Sequence, residues 1–138
     1  MLTEIENKLS RDVMTRGVVT IPMNFKAKDV ARILCDNNVS AAVVISSEGK
    51  AMGVISGIDM TKLLGKDNWE NMDAESIMAP NLEYISPDST LLEAANIMKR
   101  KGIHRLLILS EEGVGVSQKP VGILSISDIV REISKYKI

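Results

Sequence analysis

The chain has 138 residues, 45% apolar, 25% charged and only 3% aromatic, enough to bury a core that must be aliphatic and too apolar for a disordered chain. Its 17 basic and 18 acidic residues leave a net charge of −1, so there is no general basic field to attract nucleic acid. One cysteine, Cys35, excludes an intrachain disulfide framework, and with a single histidine, His104, it argues against a zinc site.

Residues 1–11 alternate charged and apolar side chains and lack the apolar core of a signal peptide. No run of about 18 apolar residues follows, so no membrane span is expected and the expected location is the cytoplasm. Val18 to Ile21 reads as a short strand stopped at Pro22. Lys26 to Asn37 reads as a helix, because Ala27, Val30, Ala31 and Leu34 fall on one face. Asn38, which tolerates a left-handed backbone, ends it. Ala41 to Ile45 is a continuous apolar run, as in a buried strand, and Ser46 to Lys50 is a polar turn. Met52 to Ile55 is the next strand and Ile58 to Leu64 the next helix. A polar linker, Gly65 to Asp73, leads to a helical turn at Ala74 to Met78.

The same order then recurs. Leu82 to Ile85 is a strand ending before Pro87. The next helix carries Leu91, Ala94, Ala95 and Met98 on one face, with Asp88 or Ser89 as its expected cap and Glu93 in its first turn. Gly102 ends it. Leu106 to Leu109 is a buried strand, Ser110 to Lys119 a polar turn, Val121 to Leu124 a strand and Ser127 to Tyr136 a helix. A shift of 64 superposes Ala27–Ile45 on Leu91–Leu109 without a gap. After a five-residue insertion around Glu111 to Lys119, a shift of 69 superposes Gly53–Asp59 on Gly122–Asp128. Each half is a βαββα unit of about 55 residues, a size at which isolated domains are marginal. The two are therefore expected to share a core.

Both halves contain Gly-h-h-Ser-x-x-Asp, where h is apolar, as a strand gives way to a helix. A helix N-terminus has unpaired N–H groups and suits phosphate, a serine hydroxyl can join those contacts, and a carboxylate can accept both hydroxyls of a ribose. Ser-x-x-Asp is equally a capping-box pattern, which satisfies the helix with no ligand at all. With Val-Met-Thr at Val13 to Thr15, Ile-Met-Ala at Ile77 to Ala79, Ser86 to Ala95 and Gly-Ile-His-Arg at Gly102 to Arg105, the chain resembles the CBS domain family, named after cystathionine β-synthase, in two copies from about Arg11 to Ile133.

That resemblance implies an α+β fold of α/β-type βαββα units, two repeats packed sheet to sheet into one pseudo-two-fold module. Residues 1–67 would hold the N-terminal segment and the first repeat, and 68–138 the linker and the second. It implies a stand-alone, non-catalytic regulatory module with an adenosine-containing ligand in the cleft between repeats: AMP, ADP or ATP, with S-adenosylmethionine or NAD as alternatives. Asp59 and Asp128 would take ribose, and Ser56 and Ser125 would lie near phosphate. His104 and Arg105 would meet phosphate, for which a guanidinium is a forked, permanent donor. Adenine would lie near Thr20, Ile21, Tyr84 and Ile85, with Ile55 and Leu124 as walls, although each apolar one also fits plain core packing.

The halves differ at the cationic pair, since Ser40 and Ala41 stand where His104 and Arg105 do. One principal site, charge-balanced by Arg105, is expected. The resemblance also implies a homodimer and an effector protein to read it. Met60 and Met98 suit either an adaptable surface or the core, and Cys35 suits a buried thiol. A ligand-free scaffold remains the competing function. Catalysis lacks a second histidine or a Walker or Rossmann loop, and nucleic-acid binding would rest on Lys99 to Arg105 alone.

Overall fold

The computed structural model describes residues 2–39, 41–79, 83–112 and 117–137. In chain order the elements are α1 (Thr3–Glu6), α2 (Ser10–Val13), β1 (Thr15–Arg16), β2 (Thr20–Pro22), α3 (Ala27–Asp36), β3 (Ala41–Ile45), β4 (Ala51–Ser56) and α4 (Gly57–Thr61). A 3₁₀ turn (Trp69–Asn71) follows, then α5 (Ala74–Ile77), β5 (Tyr84–Ile85), α6 (Leu91–Lys101), β6 (Arg105–Glu112), β7 (Ser117–Ser125) and α7 (Ile126–Ser134). The fold is mixed α/β. It divides into a continuous unit, Val18–Leu82, and a composite unit in which Met1–Gly17 joins Glu83–Ile138.

In the continuous unit the sheet order is β2-β3-β4, with β2 parallel and β4 antiparallel to β3. In the composite unit it is β1-β7-β6-β5, with β5 parallel to β6. Both hairpins carry a register shift, at Val44/Ile45 and at Ile108/Leu109, positions that superpose at the 64-residue shift. The cores superpose as well. Ile21, Val30, Leu34, Ala42, Val44 and Ile55 in one cluster match Ile85, Ala94, Met98, Leu106, Ile108 and Leu124 in the other.

The segment before each repeat docks on the unit built from the other repeat. Leu91 N–H donates to the Lys8 carbonyl at 2.9 Å, as Ala27 N–H does to the Met72 carbonyl at 3.0 Å. Ser10 N–H reaches the Ser89 carbonyl at 2.7 Å, as Ala74 N–H reaches Phe25 at 2.8 Å. Behind these contacts lie two glycines. A Cβ on Gly122 would stand 2.9 Å from the Thr15 carbonyl oxygen and against the Met14 sulfur, and one on Gly53 would stand 2.8 Å from the Ala79 carbonyl oxygen and against Met78. The glycine that opens Gly-h-h-Ser-x-x-Asp is the surface on which the Met-Thr or Met-Ala segment lies.

Several expectations are corrected. Thr90, not Asp88 or Ser89, caps α6, its hydroxyl accepting Glu93 N–H at 3.2 Å. The Ser89 carbonyl is taken by Ser10 and the Asp88 carboxylate by Arg11, so the helix starts one residue later. The stretch Ser110 to Lys119 is largely hairpin, with Ser110 opposite Lys119 and Glu112 opposite Ser117; residues 113–116 lie outside the described ones. A two-stranded ribbon needs backbone pairing, not apolar side chains, so its polar sequence disguised it. Met98 is 3% exposed in the core, and Met60 packs against its own. Cys35 is exposed on the outer face of α3. The backbones of Asn38 (φ 51°) and Gly102 (φ 64°) do turn left-handed where the helices end.

Candidate functional site

Each Ser-x-x-Asp turn is built the same way. An antiparallel strand delivers the serine as N-cap, and the aspartate sits on the third helical residue. In the composite unit Ser125 N–H donates to Asp128 Oδ2 at 2.9 Å, and Asp128 N–H donates to Ser125 Oγ at 3.2 Å. In the continuous unit both Ser56 N–H (2.8 Å) and the Ser56 hydroxyl (3.0 Å) donate to Asp59 Oδ2. The capping role that the sequence offered is thus present in both. Burial is unusual for a carboxylate, with Asp128 4% and Asp59 9% exposed. Buried acids need partners, and each has a cation one turn on: Arg131 at 3.1 Å from Asp128 Oδ1, and Lys62 at 3.6 Å from Asp59 Oδ1.

Register places Arg105 directly opposite Ser125 across β6 and β7, so the guanidinium-bearing residue starts beside the cap serine. His104 is exposed, and its carbonyl accepts Ile126 N–H at 3.0 Å, pinning the start of α7. In the continuous unit Ala41 is opposite Ser56; Ser40, the counterpart of His104, lies outside the described residues. Thr15 brings a hydroxyl to 3.5 Å from Asp128 Oδ1, where the continuous unit has Ala79.

Thr20 and Tyr84 are exposed on β2 and β5, the outermost strands of their sheets among the described residues. Ile21, Ile85, Ile55 and Leu124 are buried in the two cores, so their side chains already have apolar partners. The structure therefore groups Arg105, Ser125, Asp128 and Thr15 in one unit and Ser56 and Asp59 in the other. Sequence reading missed Thr15, Lys62 and Arg131. The last two are legible as cations one helical turn after each aspartate, whereas Thr15 belongs to the Val-Met-Thr motif but lies 113 residues from its partner, which the motif does not indicate.

An open depression of about 410 Å³ lies elsewhere in the continuous unit, lined by Lys66, Asn68, Asn71, Met72, Asp73 and Ser76, and includes neither turn. Among the described residues no helix is long and apolar enough to cross a membrane, and no cluster of three or more His, Cys, Asp or Glu could hold a metal ion.

The model of the CBS domain family matches residues 10–66 and 74–135. An uncharacterised protein of Methanocaldococcus jannaschii is 28% identical over 120 residues, 87% of this chain and 42% of that protein. A homoserine O-acetyltransferase of Methanohalobium evestigatum is 24% identical over 91% of the chain but only 24% of the enzyme. The chain thus spans less than half the length of these relatives. Among solved structures, a CBS domain pair in complex with 5′-methylthioadenosine and S-adenosyl-L-methionine superposes with a TM-score of 0.80 at 23% identity, covering 94% of this chain and 98% of that one. The CBS domain of a bacterial CNNM/CorC family Mg2+ transporter in complex with ATP gives 0.82 at 16% identity, covering 99% and 94%. At these identities the likeness is one of fold.

Proposed function

The chain belongs to the CBS domain family, in two copies, and we propose that it is a non-catalytic regulatory module that binds an adenosine-containing ligand at its Ser-x-x-Asp turns. The observation that carries this reading is the register of Arg105 opposite Ser125, one helical turn from the buried carboxylate of Asp128. A cap alone requires the serine and the aspartate. It gives no reason for a guanidinium beside them, whereas a phosphorylated ribose uses all three. Adenine nucleotides (AMP, ADP or ATP) are the leading ligands on that ground, and S-adenosylmethionine and NAD are the alternatives. The fold neighbours' complexes with adenosine compounds support the class without choosing among its members.

Adenine would lie near Thr20 and Tyr84 on the outermost strands, since Ile21, Ile85 and Leu124 have their side chains in the cores. A ligand regulates only if it binds one arrangement of the molecule better than another, so the output is a change in what an effector protein finds. The setting proposed is cytoplasmic. A homodimer is part of the same reading: Ile126, Val130 and Ile133, at i, i+4 and i+7 on α7, leave an exposed apolar stripe. Val130→Glu is expected to convert a dimer seen by light scattering to monomer, and an unchanged mass would move the interface elsewhere.

The test is a thermal-shift panel of AMP, ADP, ATP, S-adenosylmethionine and NAD with guanosine controls. A ligand at 100 times its Kd adds about 2.7 kcal/mol, several degrees for a chain of this size. An adenosine ligand should raise the Tm, and Arg105→Ala should weaken phosphorylated ligands most. A panel that shifts nothing in a ligand-free preparation favours the scaffold reading, in which both turns only cap helices.

A further inference from the structure

We infer that Arg131 is a specificity-determining residue: by holding Asp128 Oδ1 it makes the composite unit's turn prefer a phosphorylated nucleoside over the bare nucleoside, a filter the Asp59 turn lacks. The inference rests on the nucleoside-binding reading above and follows from counting acceptor sites. An ionised carboxylate has about four, two on each oxygen. At Asp128, Ser125 N–H occupies one on Oδ2 and Arg131 (3.1 Å) one on Oδ1, with the Thr15 hydroxyl 3.5 Å from that same oxygen, longer than an ordinary O–H···O bond. About one site is left on each oxygen, so a ribose diol, which needs two, must share Oδ1 with the guanidinium. At Asp59 both serine donors crowd onto Oδ2, and Lys62, at 3.6 Å, is an ion pair beyond hydrogen-bond length. Among the described residues Asp59 Oδ1 therefore carries the Lys62 ion pair but no hydrogen bond.

A diol arriving at Asp128 competes with Arg131 for Oδ1, where the guanidinium already makes a charge-assisted bond, and binding it well means displacing the guanidinium. A bare nucleoside gives the displaced guanidinium nothing in return. A nucleotide gives it a phosphate, and the Arg131 side chain, 61% exposed, is free to turn toward one. Asp59 makes no such demand, so phosphate adds less there, and Ala41 supplies no cation opposite Ser56.

Calorimetric titration of the full chain with adenosine and with AMP reads this directly. Asp59→Asn isolates the Asp128 turn, since asparagine keeps an oxygen to accept the Ser56 donors. In that background Arg131→Gln is expected to tighten adenosine and weaken AMP, so that the AMP-over-adenosine preference falls by roughly fivefold or more. In an Asp128→Asn background, Lys62→Gln is expected to leave the preference within about twofold. An unchanged preference in Arg131→Gln, or weaker adenosine binding, overturns the inference. Binding lost in Asp59→Asn but kept in Asp128→Asn also overturns it, by placing both ligands at Asp59, and leaves the nucleotide reading intact. A wild-type chain that binds neither compound overturns the inference, and takes the ligand-binding reading with it only if the whole adenosine panel also shifts nothing.

Discussion

Ser10 and Ala74 occupy equivalent positions, each fully buried where a docked segment enters its unit. Alanine suits that place; the Ser10 hydroxyl finds no partner there among the described residues. A buried unsatisfied hydroxyl costs about 1–3 kcal/mol. Ser10→Ala should therefore raise the unfolding free energy measured in urea by up to about 1 kcal/mol after the lost packing, and a lower value would reveal a partner for the hydroxyl. Glu132 is a second single-residue case. The Lys8 ammonium bonds its carboxylate and holds its pKa below the ordinary 4.5, against a smaller opposing push from burial. Because the folded value is depressed, the stabilisation is complete above the unfolded value and is lost as pH falls through the folded one. Between about pH 6 and pH 3 the wild type should lose stability more steeply than Glu132→Gln, as followed by thermal melts. Parallel melting curves for the two proteins would contradict the Lys8 contact. The site residues divide along the same line. Ser56, Asp59, Ser125 and Asp128 are legible because motif and helix start coincide. The partners of each carboxylate oxygen are not, because they depend on which oxygen each neighbour reaches.

At the scale of elements, the repeat carries most of the information. Helical spacing finds α3 and α6, and apolar runs find β3 and β6, because these elements are buried in a regular pattern. What escapes is what has no local pattern: the four-residue helices α1 and α2, the polar extension of the β6–β7 hairpin, and the docking of Val13 to Thr15 on a strand more than 100 residues away. The docking still leaves a trace in the glycines. Gly122→Ala and Gly53→Ala must each push a backbone carbonyl aside, not merely the tip of a methionine, and each should destabilise by about 1–3 kcal/mol. Denaturant titration measures it. Since the obstacle includes backbone, Met14→Ala should not restore Gly122→Ala, and full recovery would show that the sulfur alone was in the way.

At the scale of the molecule, the order of the repeats along the chain and the composition of the compact units are different divisions. Residues 1–17 complete a unit whose remaining residues begin at Glu83. Three separate ties hold them there: backbone bonds to Pro87 and Ser89, the Lys8–Glu132 and Arg11–Asp88 ion pairs, and the pairing of β1 with β7. Deleting residues 1–17 should raise amide exchange throughout 83–137 and leave 18–79 largely protected. Uniform loss of protection would show that the units do not unfold separately. Thr15 also carries this segment to Asp128, so the deletion alters the candidate site from a distance.

Ligand binding at the Ser-x-x-Asp turns depends above all on the two buried carboxylates. Calorimetric titration of the strongest ligand from the adenosine panel should be run on the wild type and on the Asp59→Asn/Asp128→Asn double variant, which keeps a cap acceptor at both turns. The double variant is expected to fold, with a Tm near the wild type's, and to lose at least about tenfold in affinity. Undiminished affinity in the folded double variant would contradict this, leaving the two turns as helix caps and placing the ligand elsewhere.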